Sequence, residues 1–536
     1  MLKRLVKGRN DAIATAAVLI ASFSIISRFV GLIRDRILAG AFGASETLDV
    51  YFAAFRLPDL LFQLMVVGAL SASFIPLFTK YYKEKKQDKA WDFTNKIFNL
   101  IILLFGAFVL ILVWAMPWVS PLIAPGFDEQ ALTLMTHLSR IMLLAQFFLA
   151  LSMVFGSALQ GAKRFFFYSL APIFYNVGII IGIVFFTGSL GVAGVAWGVV
   201  LGAFLHFFTQ WVGMRILGFR YRTKIVFFDK DIAYTFKHML PRVLGLAVSQ
   251  INFIFMTVLA SLLAAGSVTV LQFAYNMNFF PVGVIAVSYA VASFPALCES
   301  ANAKSLKKFR DTFEKTVRQM LFFLIPATAL FIILRAQIVR VAFGAGEFDW
   351  TATILTADTL MYFMISLVAQ SLIFLLVRAY FALEDTLTPF VVGLGAALVN
   401  IAAAWWLTNT YGVIGFGMAY SIGAFVQLIL LWVPLRQRTG GLNEFSIFRS
   451  FALLSIAGLG CAVATQLSKY VLSQVFDLDT FLGIFSQGLF AGLIGIAIYL
   501  ALAFAFDSEE LMTFTRGVKR RLIKKANIEE EIVTGV

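Results

Sequence analysis

Long apolar runs recur along this chain and are separated by short polar stretches. Each run has the roughly 20 apolar residues that an α-helix needs to cross the hydrocarbon of a bilayer. The pattern predicts fourteen such helices, near residues 12–38, 50–79, 94–118, 131–161, 166–188, 191–215, 232–264, 268–297, 314–342, 352–382, 387–408, 411–435, 448–468 and 480–506. The runs are too long and continuous for barrel strands, which give short alternating segments. We therefore predict an all-α integral membrane protein with fourteen transmembrane helices.

The composition agrees with this class. Hydrophobic residues make up 60% of the chain and charged residues 13%, and the mean hydropathy is +0.89. Such values exclude a chain folded around one soluble core. The first run is longer than a signal-peptide core and carries Arg28, so we interpret it as a retained helix.

The net charge of +14 is distributed unevenly. Lysines and arginines cluster in every second loop and near both ends, whereas the loops at 42–48 and 119–130 have none. This is the positive-inside pattern, which predicts a multi-pass protein of the cell (inner) membrane with both termini in the cytoplasm. It argues against a nucleic-acid partner. Residues 511–536 are predicted to form a basic cytoplasmic tail near anionic membrane lipids.

An internal repeat relates two halves of the chain. The segment Gly191-Val-Ala-Gly194 recurs as Gly412-Val-Ile-Gly415, shifted by 221 residues, and Gly202 and Trp211 recur at the same shift. Residues 72–76 and 28–32 have similar counterparts at 292–295 and 242–246. Many transporters are built from related halves. We predict two parallel six-helix repeats, the lobes 1–222 and 223–440, followed by two extra helices within 441–510.

Charged residues lie within the first predicted helix. Ser27 to Arg36 contains three arginines and an aspartate, and a charge at bilayer depth by default marks a functional pathway. Arg28 and Asp35 are seven residues apart and share one helix face. Gly31 between them permits a bend or the close approach of a partner. Arg34 lies on a different face of the helix from Arg28 and Asp35.

Several of these residues also have structural interpretations. Arg34, Asp35 and Arg36 are either functional or interfacial anchors with a local ion pair. Asp49 either sets local charge or is the acidic cap of the second predicted helix. For Asp358 and His206, inter-helix hydrogen bonds are the favoured interpretation.

Several motifs together resemble one known family. They are S-R-F-V-G-L-I-R-D (27–35), F-G-A (42–44), Asp49, A-F-R-L-P-D-L-L (54–61), G-A-L-S-A-S-F-I-P (68–76) and A-P-G-F (124–127). The chain resembles the MurJ lipid II flippases of the multidrug/oligosaccharidyl-lipid/polysaccharide (MOP) exporter superfamily. The resemblance implies two MATE-like lobes around a central cavity and a groove for a polyprenyl tail at helices 13 and 14. It also implies a polyprenyl-diphosphate lipid as substrate.

Guanidinium groups suit a diphosphate because they stay charged and offer several fixed donors. We predict that Arg28 and Arg56 contact it, with Arg34 also in the binding site. Arg56 and Asp59 are three residues apart and can pair, and Pro58 between them is a predicted kink. Asp35, Asp49, Asp59 and Gly31 are assigned to gating or to setting local charge.

The chain departs from the family pattern at positions that carry charge. The family commonly reads L-P-N-L-L-R-R and A-E-G-A in helix 2, and this chain has Phe62, Gln63 and Val67 at the charged positions. Where the family often has A-D-R in helix 8, this chain has Ala274-Tyr275-Asn276. We predict that Asn276 and Arg242, the repeat counterpart of Arg28, complete the site.

The leading hypothesis is a flippase that moves lipid II from the cytoplasmic to the outer leaflet by alternating access. The alternatives are an exporter of another polyprenyl-linked oligosaccharide and a transport-inactive scaffold of envelope assembly. With three histidines, two cysteines and no clustered catalytic constellation, we predict neither an enzyme nor a metal or cofactor site. The expected partners are the lipid substrate, membrane lipids and the cell-wall synthesis machinery.

Overall fold

A computed structural model describes residues 13–63, 70–83, 87–223, 226 and 248–516. Within these ranges the regular elements are helices, and no strand occurs. The first ten are α1 (Ile13–Phe42), α2 (Glu46–Ala54), α3 (Arg56–Phe62), α4 (Leu70–Lys83), α5 (Gln87–Ile123), α6 (Glu129–Gly161), α7 (Phe165–Leu190), α8 (Val192–Ile216), α9 (Val248–Ser261) and α10 (Ser267–Asn302). The next eight are α11 (Leu306–Ile333), α12 (Arg335–Phe343), α13 (Trp350–Ile365), α14 (Leu367–Ala382), α15 (Leu387–Tyr411), α16 (Ile414–Thr439), α17 (Glu444–Leu472) and α18 (Phe481–Ala505). The all-α class is confirmed.

The chain divides into two compact units. One contains residues 1–272 and 342–352, and the other contains residues 273–341 and 353–536. The first boundary falls inside α10, whereas the predicted lobes 1–222 and 223–440 follow the sequence repeat. Those lobes, the 441–510 helix pair and the 511–536 tail stay predictions.

Among the described residues, ten helices are long and apolar enough to cross a membrane, or eleven if α13 and α14, which meet at 49°, form one broken span. A multi-pass membrane protein follows directly. The other three predicted spans are not among those counted, each for a different reason. The α1 helix is 30 residues long but carries four charges, the segment 50–79 is divided among α2, α3 and α4, and much of 232–264 lies outside the described residues. The count of fourteen stays a prediction.

Glycines let α7 and α8 pack with their backbones in contact. A Cβ on Gly178 would lie 2.3 Å from Cα of Gly202, and one on Gly182 would lie 2.4 Å from Cα of Gly198. Gly178 and Gly182 are four residues apart, as are Gly198 and Gly202, so each pair lies on one helix face. Small residues at this spacing are the usual means by which membrane helices approach closely.

The repeated glycine motif forms the same turn twice. Gly191 immediately precedes α8 with φ +56° and ψ −141°, and Gly412 immediately follows α15 with φ +57° and ψ −141°. At each site the glycine N–H donates over 2.9 Å to a threonine carbonyl four residues earlier, Thr187 or Thr408. The side chain of the same threonine donates to the carbonyl four residues before it. This backbone region is accessible essentially to glycine alone, so the sequence match reflects a shared local geometry.

A second pair of turns occurs at the same shift. Lys163 after α6 has φ +58°, and Glu384 after α14 has φ +60°. The following residue in each case bonds back across the helix end, from Arg164 N–H to the Leu159 carbonyl and from Asp385 N–H to the Tyr380 carbonyl. These are left-handed C-terminal caps with the long bond of a Schellman motif.

Aromatic side chains form much of the core of the first unit. The rings of Phe98 and Phe155 stack with centroids 4.7 Å apart, and Phe155 meets Phe219 edge to face at 5.5 Å. Phe74 and Phe93 stack at 5.0 Å beside them. All five rings are buried. Some of the phenylalanines therefore pack α4, α5 and α6 together.

Candidate functional site

Arg34 is held by two neighbours in the first unit. Its Nε and Nη2 donate to Oδ1 of Asp35 at 2.9 and 2.6 Å, and its Nη1 donates to Oδ1 of Asn176 on α7 at 2.9 Å. The Asn176 amide is fixed in turn, because its Nδ2 donates to the carbonyl of Pro172. The predicted local ion pair is confirmed. Because Asp35 is buried and Arg34 bonds to a second helix, this pair is more than a surface anchor.

Arg28 and Gly31 lie on the same helix, α1. Gly31 faces α7, where a Cβ added to it would lie 3.7 Å from Oδ1 of Asn176. Arg28 is exposed. Within the described part of the chain its guanidinium forms neither a hydrogen bond nor an ion pair, in contrast to Arg34.

The second predicted helix breaks at Phe55. The α2 helix ends at Ala54 and α3 begins at Arg56, with Pro58 in its first turn. Proline lacks an N–H and cannot continue the hydrogen-bond ladder of the preceding turn. The predicted kink is present, and both charged residues, Arg56 and Asp59, lie on the short helix that follows it.

Arg56 is buried and is held by α9 and α10. Its Nε donates to Oγ1 of Thr257 at 2.7 Å, and its Nη2 donates to Oε1 of Gln272 at 2.8 Å. The guanidinium lies over the ring of Phe253, with Cζ of Arg56 4.3 Å from the ring centroid. A buried guanidinium with polar partners and an aromatic face is strongly fixed in position.

Asp59 faces a different helix. Its Oδ1 accepts a hydrogen bond of 3.4 Å from Nε2 of Gln146 on α6. Gln146 is 1% exposed, and its Oε1 has no hydrogen-bond partner among the described residues. The charge of Arg56 still acts on Asp59, while the Arg56 guanidinium donates its hydrogen bonds to α9 and α10.

Asp49 caps another helix. Its Oδ2 accepts from the N–H of Gly266 at 2.7 Å, and its Oδ1 accepts from the N–H and hydroxyl of Thr269 at 2.7 and 2.6 Å. These donors belong to the beginning of α10. The cap of its own helix is Ser45, which accepts from the N–H of Leu48, so the interpretation of Asp49 as that cap is wrong.

The charged side chains of α1 and α3 lie in one neighbourhood. Arg34 pairs with Asp35, the charge of Arg56 acts on Asp59, and the buried rings of Tyr51 and Tyr175 lie within electrostatic reach of both Arg34 and Asp59. Two positive and two negative groups balance when all are ionised. Arg28 adds a positive charge outside this balanced set.

The remaining predicted residues are more scattered. Asn276 is half-buried on α10, and Arg242 lies outside the described residues. Asp358 pairs with Arg335 at 3.0 Å, and Nδ1 of His206 is 2.7 Å from the hydroxyl of Ser152, so both interpretations as satisfied polar residues are confirmed. Cys298 and Cys461 are free. The described residues contain no group of ligands that could hold a metal.

Sequence reasoning missed the residues that hold the arginines, Asp49 and Asp59 in place. These are Asn176, Gln146, Thr257, Gln272 and Thr269. Each is a polar residue in an apolar run, which is a weak signal because most such residues only bond to their own helix, as Thr94 does. Their partners lie 87 to 220 residues away in the chain, so spacing gives no indication of the contact.

The fold is that of a known class of membrane carriers. A solved MATE transporter of the MOP superfamily in an inward-facing conformation is 14% identical to this chain and has a TM-score of 0.67, covering 80% of this chain and 99% of that one. An outward-facing MATE structure, also 14% identical, has a TM-score of 0.57 and covers 82% and 98%.

The family is more specific. The model of the family described as lipid II flippase MurJ matches residues 38–486. A probable lipid II flippase MurJ from Vibrio cholerae is 29% identical over 511 residues, 91% of this chain and 95% of that protein, and one from Rhizobium meliloti is 27% identical over 506 residues, 92% and 94%. A solved lipid II flippase MurJ, in an inward closed conformation, is 26% identical with a TM-score of 0.75, covering 91% and 98%. The chain belongs to the MurJ family, whose members are transporters and not enzymes.

Proposed function

We propose that this protein moves lipid II from the cytoplasmic to the outer leaflet of the inner membrane by alternating access. The names of its relatives support the cargo. Inward- and outward-facing structures with the same fold support the mechanism. The fourteen-helix count, the parallel six-helix repeats and the cytoplasmic termini belong to this proposal.

The observation that carries the binding role is the contrast among three arginines. Arg34 and Arg56 donate to fixed protein partners, whereas exposed Arg28 has no such bond among the described residues. Within the described part of the chain, the donors of Arg28 are therefore available to a ligand. A guanidinium binds phosphate oxygens with two parallel, charge-assisted hydrogen bonds.

Arg34 and Arg56 serve the same site in another way. Each keeps its positive charge in a fixed position, and Asp35 and Asp59 prevent the empty carrier from accumulating charge. A diphosphate would disturb this balance and gain from the excess charge of Arg28. Asn276 and Arg242 stay predicted contacts.

The polyprenyl chain would stay in the membrane beside α17 and α18. Both helices expose apolar side chains, among them Leu459 (66%) and Leu493 (53%). An apolar chain gains nothing by leaving lipid for a polar site, so only the headgroup needs to cross a polar path. The tail groove stays a prediction.

The test is transport by purified protein in liposomes, combined with rescue of cells depleted of their own flippase. Losing a charge-assisted hydrogen bond costs about 1.5 to 3 kcal/mol, so Arg28→Ala should weaken cargo binding about ten- to hundredfold and abolish rescue. Arg28→Lys keeps the charge without the bidentate geometry and should retain part of the activity.

Arg140 supplies the matched control. It is an exposed arginine on α6 whose Nε donates to the Val113 carbonyl of α5. Arg140→Ala should transport normally. If the wild type rescues the cells and Arg28→Ala is fully active, Arg28 is not part of the binding site. If the wild type does not flip lipid II, another polyprenyl-linked cargo or a scaffold role is favoured.

A further inference from the structure

The carboxylate of Asp59 is poorly compensated for a charged group inside a membrane protein. It is half-buried at the contact of α3 with α6, and its hydrogen bond from Gln146 is 3.4 Å long. Arg56, one turn earlier, directs its guanidinium to Thr257 and Gln272. A charge withdrawn from water needs close partners, and Asp59 has few in the described structure.

The partner amide offers both a donor and an acceptor at one place. Nε2 of Gln146 donates to Asp59, while Oε1 of the same amide is buried without a partner among the described residues. Turning the amide by half a rotation exchanges the two atoms. A charged Asp59 accepts a hydrogen bond from Nε2, and a protonated Asp59 would donate its O–H to Oε1 of the turned amide.

Because of the charged groups near Asp59, its protonation changes the net charge that a bound anion would meet. The charge of Arg56 on α3 acts on Asp59, and the buried rings of Tyr51 on α2 and Tyr175 on α7 lie within electrostatic reach of both Asp59 and Arg34, which pairs with Asp35 on α1. With Asp59 ionised, its charge and that of Asp35 balance the two arginines. With Asp59 neutral, the same set carries one net positive charge.

We propose that Asp59 and Gln146 form a proton-binding site that takes up one proton when the anionic cargo binds. The inference rests on the proposed function. A proton from solvent adds to a carboxylate oxygen of Asp59 and returns to solvent when the cargo leaves. Because linkage is reciprocal, a bound anion favours protonation and a proton favours anion binding. Each loaded carrier thus moves one unit of negative charge fewer.

The first experiment counts protons. The full-length protein in detergent is titrated by calorimetry with a farnesyl-diphosphate-linked N-acetylhexosamine, a diphosphate diester that stays fully ionised in this range, in buffers of different ionisation enthalpy between about pH 5 and 8. Wild type should take up close to one proton at the upper end of this range. Its affinity should weaken by at most about tenfold per pH unit.

Asp59→Asn should bind the probe without proton uptake and with a flat pH profile. The MurJ family commonly has asparagine at this position, within the pattern L-P-N-L-L, so the substitution suits the fold. Asp358→Asn, a matched change in α13 where the carboxylate pairs with Arg335, should keep the wild-type proton count. Equal proton uptake in wild type and Asp59→Asn would overturn the proposal.

A second measurement separates this proposal from the proposed function. Infrared difference spectra of the unliganded protein across the same pH range should show a protonated-carboxyl band that Asp59→Asn lacks. A wild type without this band would refute the proton site even if lipid II were transported. A band that is present in a protein unable to bind the probe would refute the cargo assignment and leave the proton site standing.

Discussion

Asp49 holds the beginning of α10, and its removal should destabilise the protein strongly. The carboxylate is 2% exposed and accepts three hydrogen bonds of 2.6 to 2.7 Å. In Asp49→Ala the Thr269 hydroxyl can turn to another acceptor, but the N–H groups of Gly266 and Thr269 lose their partner. Each buried, unsatisfied N–H costs about 1 to 3 kcal/mol, so we expect a loss of about 2 to 6 kcal/mol.

Water cannot easily replace the hydrogen bonds lost in Asp49→Ala. Gly266 has φ +89°, and a Cβ there would lie 2.4 Å from the Ala44 carbonyl oxygen, so the loop packs tightly where water would have to enter. Asp49→Asn keeps one oxygen and should fall between wild type and alanine. Glu46→Ala, one turn earlier on α2, should cost only the 0.3 to 1 kcal/mol or so of a helix-dipole interaction.

The assay is thermal unfolding in detergent followed by a thiol-reactive dye. Cys461 is fully buried and becomes reactive only on unfolding, and replacing the half-buried Cys298 by serine removes the background signal. Asp49→Ala should melt several degrees below both wild type and Glu46→Ala. A midpoint within one degree of wild type would refute the capping argument.

Two further predictions concern turns at the helix ends. Gly191→Ala and Gly412→Ala should destabilise the protein by similar amounts, about 1 to 3 kcal/mol each, because both glycines have the same φ and ψ; clearly unequal thermal shifts would contradict the shared geometry. At Asp385, between α14 and α15, burial opposes ionisation, but the N–H and hydroxyl of Thr388 and the Arg438 guanidinium outweigh it and lower the pKa to about 2. Since this folded-state pKa lies below the ordinary value of 3.8, the stabilisation is complete above about pH 4 and is lost as the pH falls towards 2. Unfolding midpoints measured over this range should show a shallower acid decline for Asp385→Asn, and equal slopes would contradict the assignment.

The long apolar runs determined that the chain is helical and crosses the membrane several times. A bilayer offers no water to the backbone, so each span must satisfy its own hydrogen bonds. The glycines of the repeat indicated that the two halves are related, and the structure shows that Gly191 and Gly412 form the same turn, which is accessible essentially to glycine alone. The kink near Pro58 likewise follows from the missing N–H of proline.

Only the tertiary structure decided what the charged side chains contact. Arg28, Arg34 and Arg56 are one residue type in similar apolar surroundings, yet Arg34 bonds to Asn176, Arg56 bonds to Thr257, and Arg28 stays exposed. Asp49 looked like a cap for its own helix and caps one that begins 218 residues later. Sequence periodicity fixes the length and face of each helix locally. Helix packing then selects partners that are distant in the chain, and those partners determine whether a charge is held in the protein or left for a ligand.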